Sequence, residues 1–410
     1  RLLPALSTPA VFRELVMVAN VRVPSERAHV LQIMQMAAGF STVFQRVRMV
    51  YPVRANTELM KRVRNVFDYY SVKECFGLVG LPCIDPVKRV TLDWPWLASG
   101  PAPRVAHFIQ ILTFTFAALL FVARLPACVL YSRDLLVLTI LNLLSTGRGR
   151  LFVFEVHTLP RSNFARKLHL WSARRADAIV AISDHLRDWY IEMGFDPQSI
   201  LTARDGVDFD AYSSLPAKSL ARERLGIDSD STMAVYTGHF FPWKGVDTLV
   251  DAARHLPHQW RIVLVGGIEP DLSRIQDLAS TNERIRVVGQ LPVHDAALKP
   301  AAADVAVLPN SSKAEISAKY TSPLKLFEYL ASGKPVVASD VPAVREIVRP
   351  HHSALLVKPD DPAALAAGIE RVAMDEQLRN KLTLNAREVA RGYSWNSRAA
   401  LVKAFLGKLD

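Results

Sequence analysis

The stretch Thr321-Ser322-Pro323-Leu324-Lys325-Leu326-Phe327-Glu328-Tyr329-Leu330-Ala331-Ser332-Gly333-Lys334-Pro335-Val336-Val337-Ala338-Ser339 reads as a loop, a short helix and a buried strand. Thr321 or Ser322 is placed to cap the helix, and Pro323 suits its first position, where a missing N–H costs nothing. Leu324, Phe327, Leu330 and Ala331 recur at helical spacing, Gly333 ends the helix, and Val336-Val337-Ala338 is a strand. The start of such a helix presents free N–H groups and a partial positive charge, which suits a phosphate. Glu328 lies five residues beyond Pro323, roughly 7–8 Å along the axis, about the reach from a diphosphate to the ribose hydroxyls of one nucleotide. Taken alone, Glu328 also reads as a solvated helix residue.

Around this stretch the second half of the chain alternates. Strands fit Ala234–Thr237, Ile262–Val265, Ile285–Val288, Val305–Leu308, Val336–Ser339 and Ala354–Val357, with helical patterns such as Val246–Leu256 between them and Pro362–Ala373 after them. Repeated strand–helix units imply a parallel sheet wound on both faces, with ligands at the carboxyl ends of the strands. The Gly238 loop, Gly266-Gly267, Gly289 and the 309–323 loop all fall there.

The first half carries the same alternation less cleanly. Residues 13–20 read as a first strand, Asn20 to His29 as a polar loop, and Val30–Met36 as a helix start. The turn lacks the Gly-x-Gly-x-x-Gly of nucleotide oxidoreductases, which argues against a dehydrogenase. Met49-Val50-Tyr51 reads as at most a short strand cut off by Pro52, and residues 58–70 as an exposed basic-aromatic segment. The 19 residues between Arg104 and Arg124 carry no charge. That length just spans a bilayer, but His107, Gln110, Thr113 and Thr115 interrupt it, and a buried helix of an α/β domain fits better. After the strand Val153–His157, Arg161, Arg166, Lys167, Arg174 and Arg175 alternate with Phe164, Leu168, Leu170 and Trp171. That helix fits an anionic membrane surface, or equally a solvated face with its apolar side turned inward. Asp205-Gly206-Val207-Asp208 closes the first domain, and the Ser/Ala/Lys-rich segment 211–221 reads as a linker region.

At 410 residues, half of them hydrophobic, the chain has room for two domains with cores of their own. Fifty Lys and Arg against 39 Asp and Glu, a formal net charge of +11, favour an acidic partner: nucleic acid, an anionic membrane surface or a phosphorylated substrate. No nucleic-acid recognition motif accompanies that charge, so no nucleic-acid partner is expected. Cys75, Cys83 and Cys128 have neither metal-ligand spacing nor an even count, which points to reduced thiols in a cytoplasmic setting. The sequence starts at Arg1 without Met and shows no signal peptide.

Gly238-His239-Phe240-Phe241-Pro242-Trp243-Lys244-Gly245 follows a strand and opens a helix. Glycine permits close backbone approach there, and Lys244 is a compact charge for a phosphate. Together these segments resemble the retaining nucleotide-sugar glycosyltransferases of family 4, often called group 1, densest from Tyr236 to Val348. Gly238, His239, Lys244 and Gly245 match the family's glycine–basic–Lys-Gly loop, and Pro323–Ala338 its helix with a ribose-binding glutamate, here Glu328. Ala19–Met36 resembles the family's first loop and helix, Glu155-Val156-His157 a strand end facing the cleft, and Tyr393-Ser394-Trp395 the start of a last helix that crosses back.

Three departures are visible. Tyr320 stands where the family often has a first glutamate, Ser322-Pro323-Leu324 replaces Phe-Gly-Leu, and His239 stands where Arg is common.

The resemblance implies an α/β GT-B architecture of two Rossmann-like domains facing a central cleft. Residues 1–207 would form the acceptor side, 208–392 the donor side, and 393–410 the returning helix. It implies donor contacts from Gly238, His239, Lys244, Gly266, Gly289, Tyr320, Ser322, Pro323, Leu324 and Glu328, and reaction-side roles for Lys244, His157 and Glu155. No cofactor or metal is expected; the nucleotide-sugar donor is a co-substrate, and the acceptor is a glycan or lipid-linked glycan of polysaccharide biosynthesis. Placement is expected to be cytoplasmic, including peripheral attachment to the inner face of a membrane. Asp208-Phe209-Asp210 and Asp228-Ser229-Asp230 have the form of metal-binding strings but fall in connecting segments. Rival readings are a nucleotide-sugar epimerase or hydrolase of the same fold, and a non-catalytic sugar-nucleotide or membrane-binding protein, which Tyr320 favours.

Overall fold

The computed structural model describes residues 12–86, 102–145, 149–160, 162–227, 231–291 and 293–409. Arg161 and the Asp228-Ser229-Asp230 string lie outside them. The chain divides into two compact units, one of residues 1–182, 186–203 and 396–410, the other of 183–185 and 204–395.

The first unit is built on a seven-stranded parallel sheet: β1 (Glu14–Val18), β2 (Arg46–Val53), β3 (Gly77–Pro82), β4 (Val129–Ser132), β5 (Leu151–Val156), β6 (Ala178–Ala181) and β7 (Ile200–Thr202). Its order is β3-β2-β1-β4-β5-β6-β7, so the winding reverses between β1 and β4. β1, β4, β5 and β6 are buried along their whole length, as expected of strands covered on both faces.

β2 corrects one expectation. It runs for eight residues through Pro52, which pairs with Leu81 of β3. β1 stops opposite Val50, so Pro52 has a neighbouring strand on one side only and its missing N–H interrupts one ladder at most. Residues 58–70 also differ from the exposed segment expected. They form the short helices Glu58–Lys61 and Val66–Tyr69, and Phe67 and Tyr70 turn inward. The Tyr70 hydroxyl accepts from Ser25 N and donates to Ser25 O, both at 2.7 Å.

The charge-free stretch is the helix Ala102–Ala123. Among the described residues it alone is long and apolar enough to cross a membrane by length and composition. It is buried, as expected, on one side only: Ala106, Gln110, Ile111, Phe114, Thr115, Ala118 and Val122 face inward, and its other side is exposed.

The second unit holds a six-stranded parallel sheet: β8 (Thr232–Gly238), β9 (Trp260–Gly266), β10 (Ile285–Val288), β11 (Val305–Leu308), β12 (Val336–Ser339) and β13 (Leu355–Val357). The order β10-β9-β8-β11-β12-β13 places its reversal between β8 and β11. One core cluster packs Val235, Val263, Leu308, Leu326 and Leu330; the other packs Tyr236, Leu249, Leu264, Val307 and Ile369. Val235 and Tyr236, neighbours on β8, belong to different clusters because successive side chains point to opposite faces.

Segment 211–221 is not a linker. It falls in the helices Phe209–Ser213 and Lys218–Leu225, Tyr212 and Ala221 are buried, and Arg222 pairs with Asp304 at 2.8 Å. Asp208 caps the first of these helices through Ala211 N.

Candidate active site

Each unit brings polar groups to the carboxyl ends of its central strands, where winding reverses and no crossover helix blocks access.

In the first unit the centre is Glu155, at the end of β5, with no side-chain exposure. His157 Nε2 lies 2.5 Å from its Oε1 and Arg133 Nη2 2.8 Å from the same oxygen. Arg398 Nη2 is 3.1 Å from Oε2, which also accepts from the Tyr131 hydroxyl. Burial by itself raises a carboxyl pKa; here Arg133, Arg398 and His157 outweigh it and hold Glu155 well below the carboxylate range. Tyr131 is pushed the other way, by burial and then by Glu155.

Two cavities share His29, Arg133 and Leu135. One of about 330 Å³ lies between the ends of β1 and β4, lined by Asn20, Ser132 and Asp134 among others. The other, about 410 Å³, is lined by Phe154, His157, Thr158, Leu159, Pro160 and His169. His157 thus opens onto a cavity while Glu155 lies behind it. Of the pair read from the sequence, His157 alone lines a cavity. Tyr131, Arg133 and Arg398, none of which stands out in the sequence, complete the charge network around Glu155.

In the second unit the glycine loops meet as expected. Gly267 N donates to Gly238 O at 3.0 Å and Gly266 N to Gly289 O at 3.3 Å. Gly266 has φ +114°, and a Cβ there would lie 2.3 Å from Gly238 O. Gly245 has φ +68°, and its Cβ would lie 1.9 Å from Pro309 O, so the loop before Gly245 can sit against the end of β11 only as glycine.

Lys244 ends a short 3₁₀ turn, its Nζ 4.2 Å over the Trp243 ring. Burial, and then the charge of Lys325, push its pKa down to about 8. His239 lies beside Phe241, with ring centroids 5.1 Å apart.

Glu328 is buried on the helix Leu324–Ala331, its Oε2 2.7 Å from Lys325 Nζ. Burial, then the charge of Glu328, push the Tyr212 phenol well above its ordinary range.

The helix start departs from the sequence reading. Pro323 occupies the cap position, and the Ser322 hydroxyl accepts from Asp205 N at 2.9 Å instead of capping. Leu324 is half-exposed at the first turn, and Tyr320 ends the π-turn Ile316–Tyr320. Lys325 and Tyr329 carry no signal in the sequence that marks them for this site. Tyr329 accepts from Thr237 N at 2.7 Å and ties this helix to the end of β8.

Comparison with known proteins follows the same division. The family described as "Glycosyl transferases group 1" matches residues 217–389, and "Glycosyltransferase Family 4" matches residues 84–211. A D-inositol 3-phosphate glycosyltransferase of Xylanimonas cellulosilytica is 30% identical over 237 residues, 55% of either chain. A phosphatidyl-myo-inositol mannosyltransferase of Mycobacterium leprae is 30% identical over 249 residues, 60% of this chain and 62% of the relative. The chain spans about half the length of the curated relatives it matches.

Among solved structures, Anabaena HepE in complex with UDP and glucose has a TM-score of 0.71 at 17% identity, covering 95% of this chain and 98% of its own. Sucrose-phosphate synthase of Thermosynechococcus elongatus has a TM-score of 0.71 at 20% identity, covering 97% and 99%. At those identities the likeness shows a shared fold.

Proposed function

The chain belongs to the group 1, family 4 glycosyltransferases, and from that premise we propose that it moves a sugar from a nucleotide diphosphate donor to an acceptor hydroxyl with retained anomeric configuration. The observation that carries the reading is the lysine of the second unit's glycine loop. Lys244 stands in the glycine loop under the field of Lys325. Lys325 is already paired with Glu328, whereas among the described residues no carboxylate pairs with Lys244, and a cation in a partly desolvated place is an unfavourable arrangement until an anion joins it. A diphosphate is such an anion, and it gains charge as the glycosidic bond breaks.

Lys244 would then stabilise the leaving group, with His239 and the start of the helix Leu324–Ala331 beside it. No metal ion or cofactor is called for, because the lysines supply the positive charge. Glu328 would receive the ribose hydroxyls, Lys325 holding its carboxylate in place. Gly238, Gly266 and Gly289 would let the donor approach the backbone.

In the first unit, His157 would contact the sugar or acceptor in its cavity. Glu155, already neutralised by Arg133 and Arg398, would act as a positioning residue that holds the His157 ring. The acceptor we propose is a glycan or lipid-linked molecule bearing an anionic group, received by Arg133 and His29. Relatives named for D-inositol 3-phosphate and phosphatidyl-myo-inositol support that choice. We place the enzyme in the cytoplasm, attached to the inner face of the membrane.

Calorimetric titration with UDP-, GDP- and ADP-sugars tests the reading, comparing wild type with Lys244→Ala and Glu328→Ala. One donor should bind wild type, about 10–100-fold tighter than either variant, the loss of one charge-assisted contact or more. Folded wild-type protein that binds none of the donors would overturn it. Sugar release at the same rate with and without acceptor would replace transfer by hydrolysis.

A further inference from the structure

The helix Ala102–Ala123 is turned the wrong way for a helix facing water. Its polar Gln110 and Thr115 are fully buried, whereas Phe108 and Phe116 are 52% and 62% exposed. Val105, Ile109, Leu112 and Leu120 complete an outward apolar stripe at helical spacing, with exposed Arg104 and Arg124 at its two ends. The inward side has a reason: Gln110 Nε2 donates to Asn20 Oδ1 at 2.9 Å, and Asn20 Nδ2 to Asp134 Oδ2 at 3.2 Å. Asn20 and Asp134 line the smaller cavity.

Exposed apolar side chains recur on the neighbouring helices. Leu135–Leu144, which packs against Ala102–Ala123, exposes Leu136, Leu143 and Leu144; Asn163–Ala173, the next in contact, exposes Phe164, Leu168 and Trp171. Large exposed apolar side chains gathered on three adjoining helices mark an interaction surface.

Charge says what covers it. Residues 102–177 contain ten Arg and Lys, of which Arg104, Arg124, Lys167 and Arg174 stand exposed, against three acidic residues, Asp134, Glu155 and Asp177, the last of which accepts from Phe152 N. Asp134 caps the helix Leu135–Leu144 through Val137 N, and Glu155 is buried, so neither contributes a negative charge to the exposed stripe. Arg175 stacks on exposed Trp171, 3.6 Å from the ring centroid, a basic-aromatic pair suited to a headgroup layer.

We propose that these three helices are the face by which the protein docks, lying flat, on an anionic lipid bilayer, with the apolar stripe in the acyl boundary and the arginines among the headgroups. The face would set the two cavities beside the membrane, so that a lipid-linked acceptor presents its polar end to Arg133 and His157. That last consequence rests on the glycosyl-transfer reading; the docking itself does not.

The full chain is sedimented, without donor, with vesicles of phosphatidylcholine alone and of phosphatidylcholine with phosphatidylglycerol in equal parts. Wild type should bind the mixed vesicles about tenfold tighter or more, and added salt should weaken this. A variant with Phe108→Ser, Leu112→Ser and Phe116→Ser, all outward-facing, should keep its thermal transition and donor binding but lose binding to both vesicles. Arg124→Glu with Lys167→Glu should lose only the preference for anionic lipid. Wild type left in the supernatant with mixed vesicles, or a triple-serine variant that sediments like wild type, would overturn the proposal. So would a wild-type dimer that the serine variant dissolves, since a second copy would then cover the face. Donor binding measured on the same samples separates this failure from failure of the transferase reading.

Discussion

Lys244 shows how one residue couples the second unit's site to pH. Its pKa, about 8 in the folded chain, lies below that of a free lysine, so between roughly pH 8 and 10.4 the unfolded chain binds more protons than the native one. Below that window both forms are protonated and the cost of holding the charged amine is fully present; it is relieved as pH rises through the window. Stability contributed by this position therefore rises with pH, while on the proposed role of Lys244 donor affinity should fall, because the anion would need the charged lysine. Urea unfolding and donor titration from pH 7 to 9.5 should move in opposite directions, and Lys244→Met should flatten both trends.

The glycines give a sharper contrast. Gly226 has φ +60° with open space around it, so Gly226→Ala should cost about 1–2 kcal/mol. Gly245 has a similar φ but meets Pro309 O; Gly245→Ala should cost clearly more and abolish donor binding, read by thermal unfolding and calorimetry.

At the scale of elements, the helix Leu324–Ala331 was legible and its start was not. Its inward face, Leu326, Phe327, Leu330 and Ala331, is fully buried, and Gly333 follows it in the left-handed conformation. The serine before Pro323 looked like a cap because local rules favour serine there. A backbone N–H 117 residues upstream, that of Asp205, bonds to its hydroxyl instead. Ser322→Ala should accordingly cost about 1–3 kcal/mol through an unsatisfied buried amide and leave donor affinity within about twofold; donor affinity lost with unchanged stability would contradict this.

Strands fared better. Val305–Leu308 and Val336–Ser339 fall where the apolar runs placed them, since strands buried on both faces read as continuous apolar stretches, and the edge strand Ile285–Val288 falls in place despite its exposed Arg286. Segment 211–221 failed because its Ser, Ala and Lys composition says nothing about the surface that Tyr212 and Ala221 pack on.

Across the whole molecule, the last helix, Trp395–Leu406, joins Arg133 in keeping Glu155 charged. Residues from 396 onward belong to the first unit, and the Arg398 guanidinium reaches Glu155 together with Ala203 O. Arg398→Met would leave that buried carboxylate with one arginine fewer, at a cost of about 3–5 kcal/mol, measured by urea unfolding. The sign with pH is the usual one for a depressed carboxyl. The stabilisation is present above the unfolded pKa of about 4.3 and lost as pH falls through the lower folded value, so the wild-type advantage over the variant should shrink in acid.

What the amino-acid order determined by itself is what local physics writes: alternating strands and helices, glycines where loops crowd, a lysine after an aromatic turn, and an excess of positive charge. Tertiary structure alone decided which side of the Ala102–Ala123 helix faces inward and which arginines neutralise Glu155. Both sides of that helix are apolar in sequence, so periodicity has no preference between them. A buried Gln110 or Glu155 needs polar partners, and Asn20, Arg133 and Arg398 come from distant parts of the chain that only folding brings together.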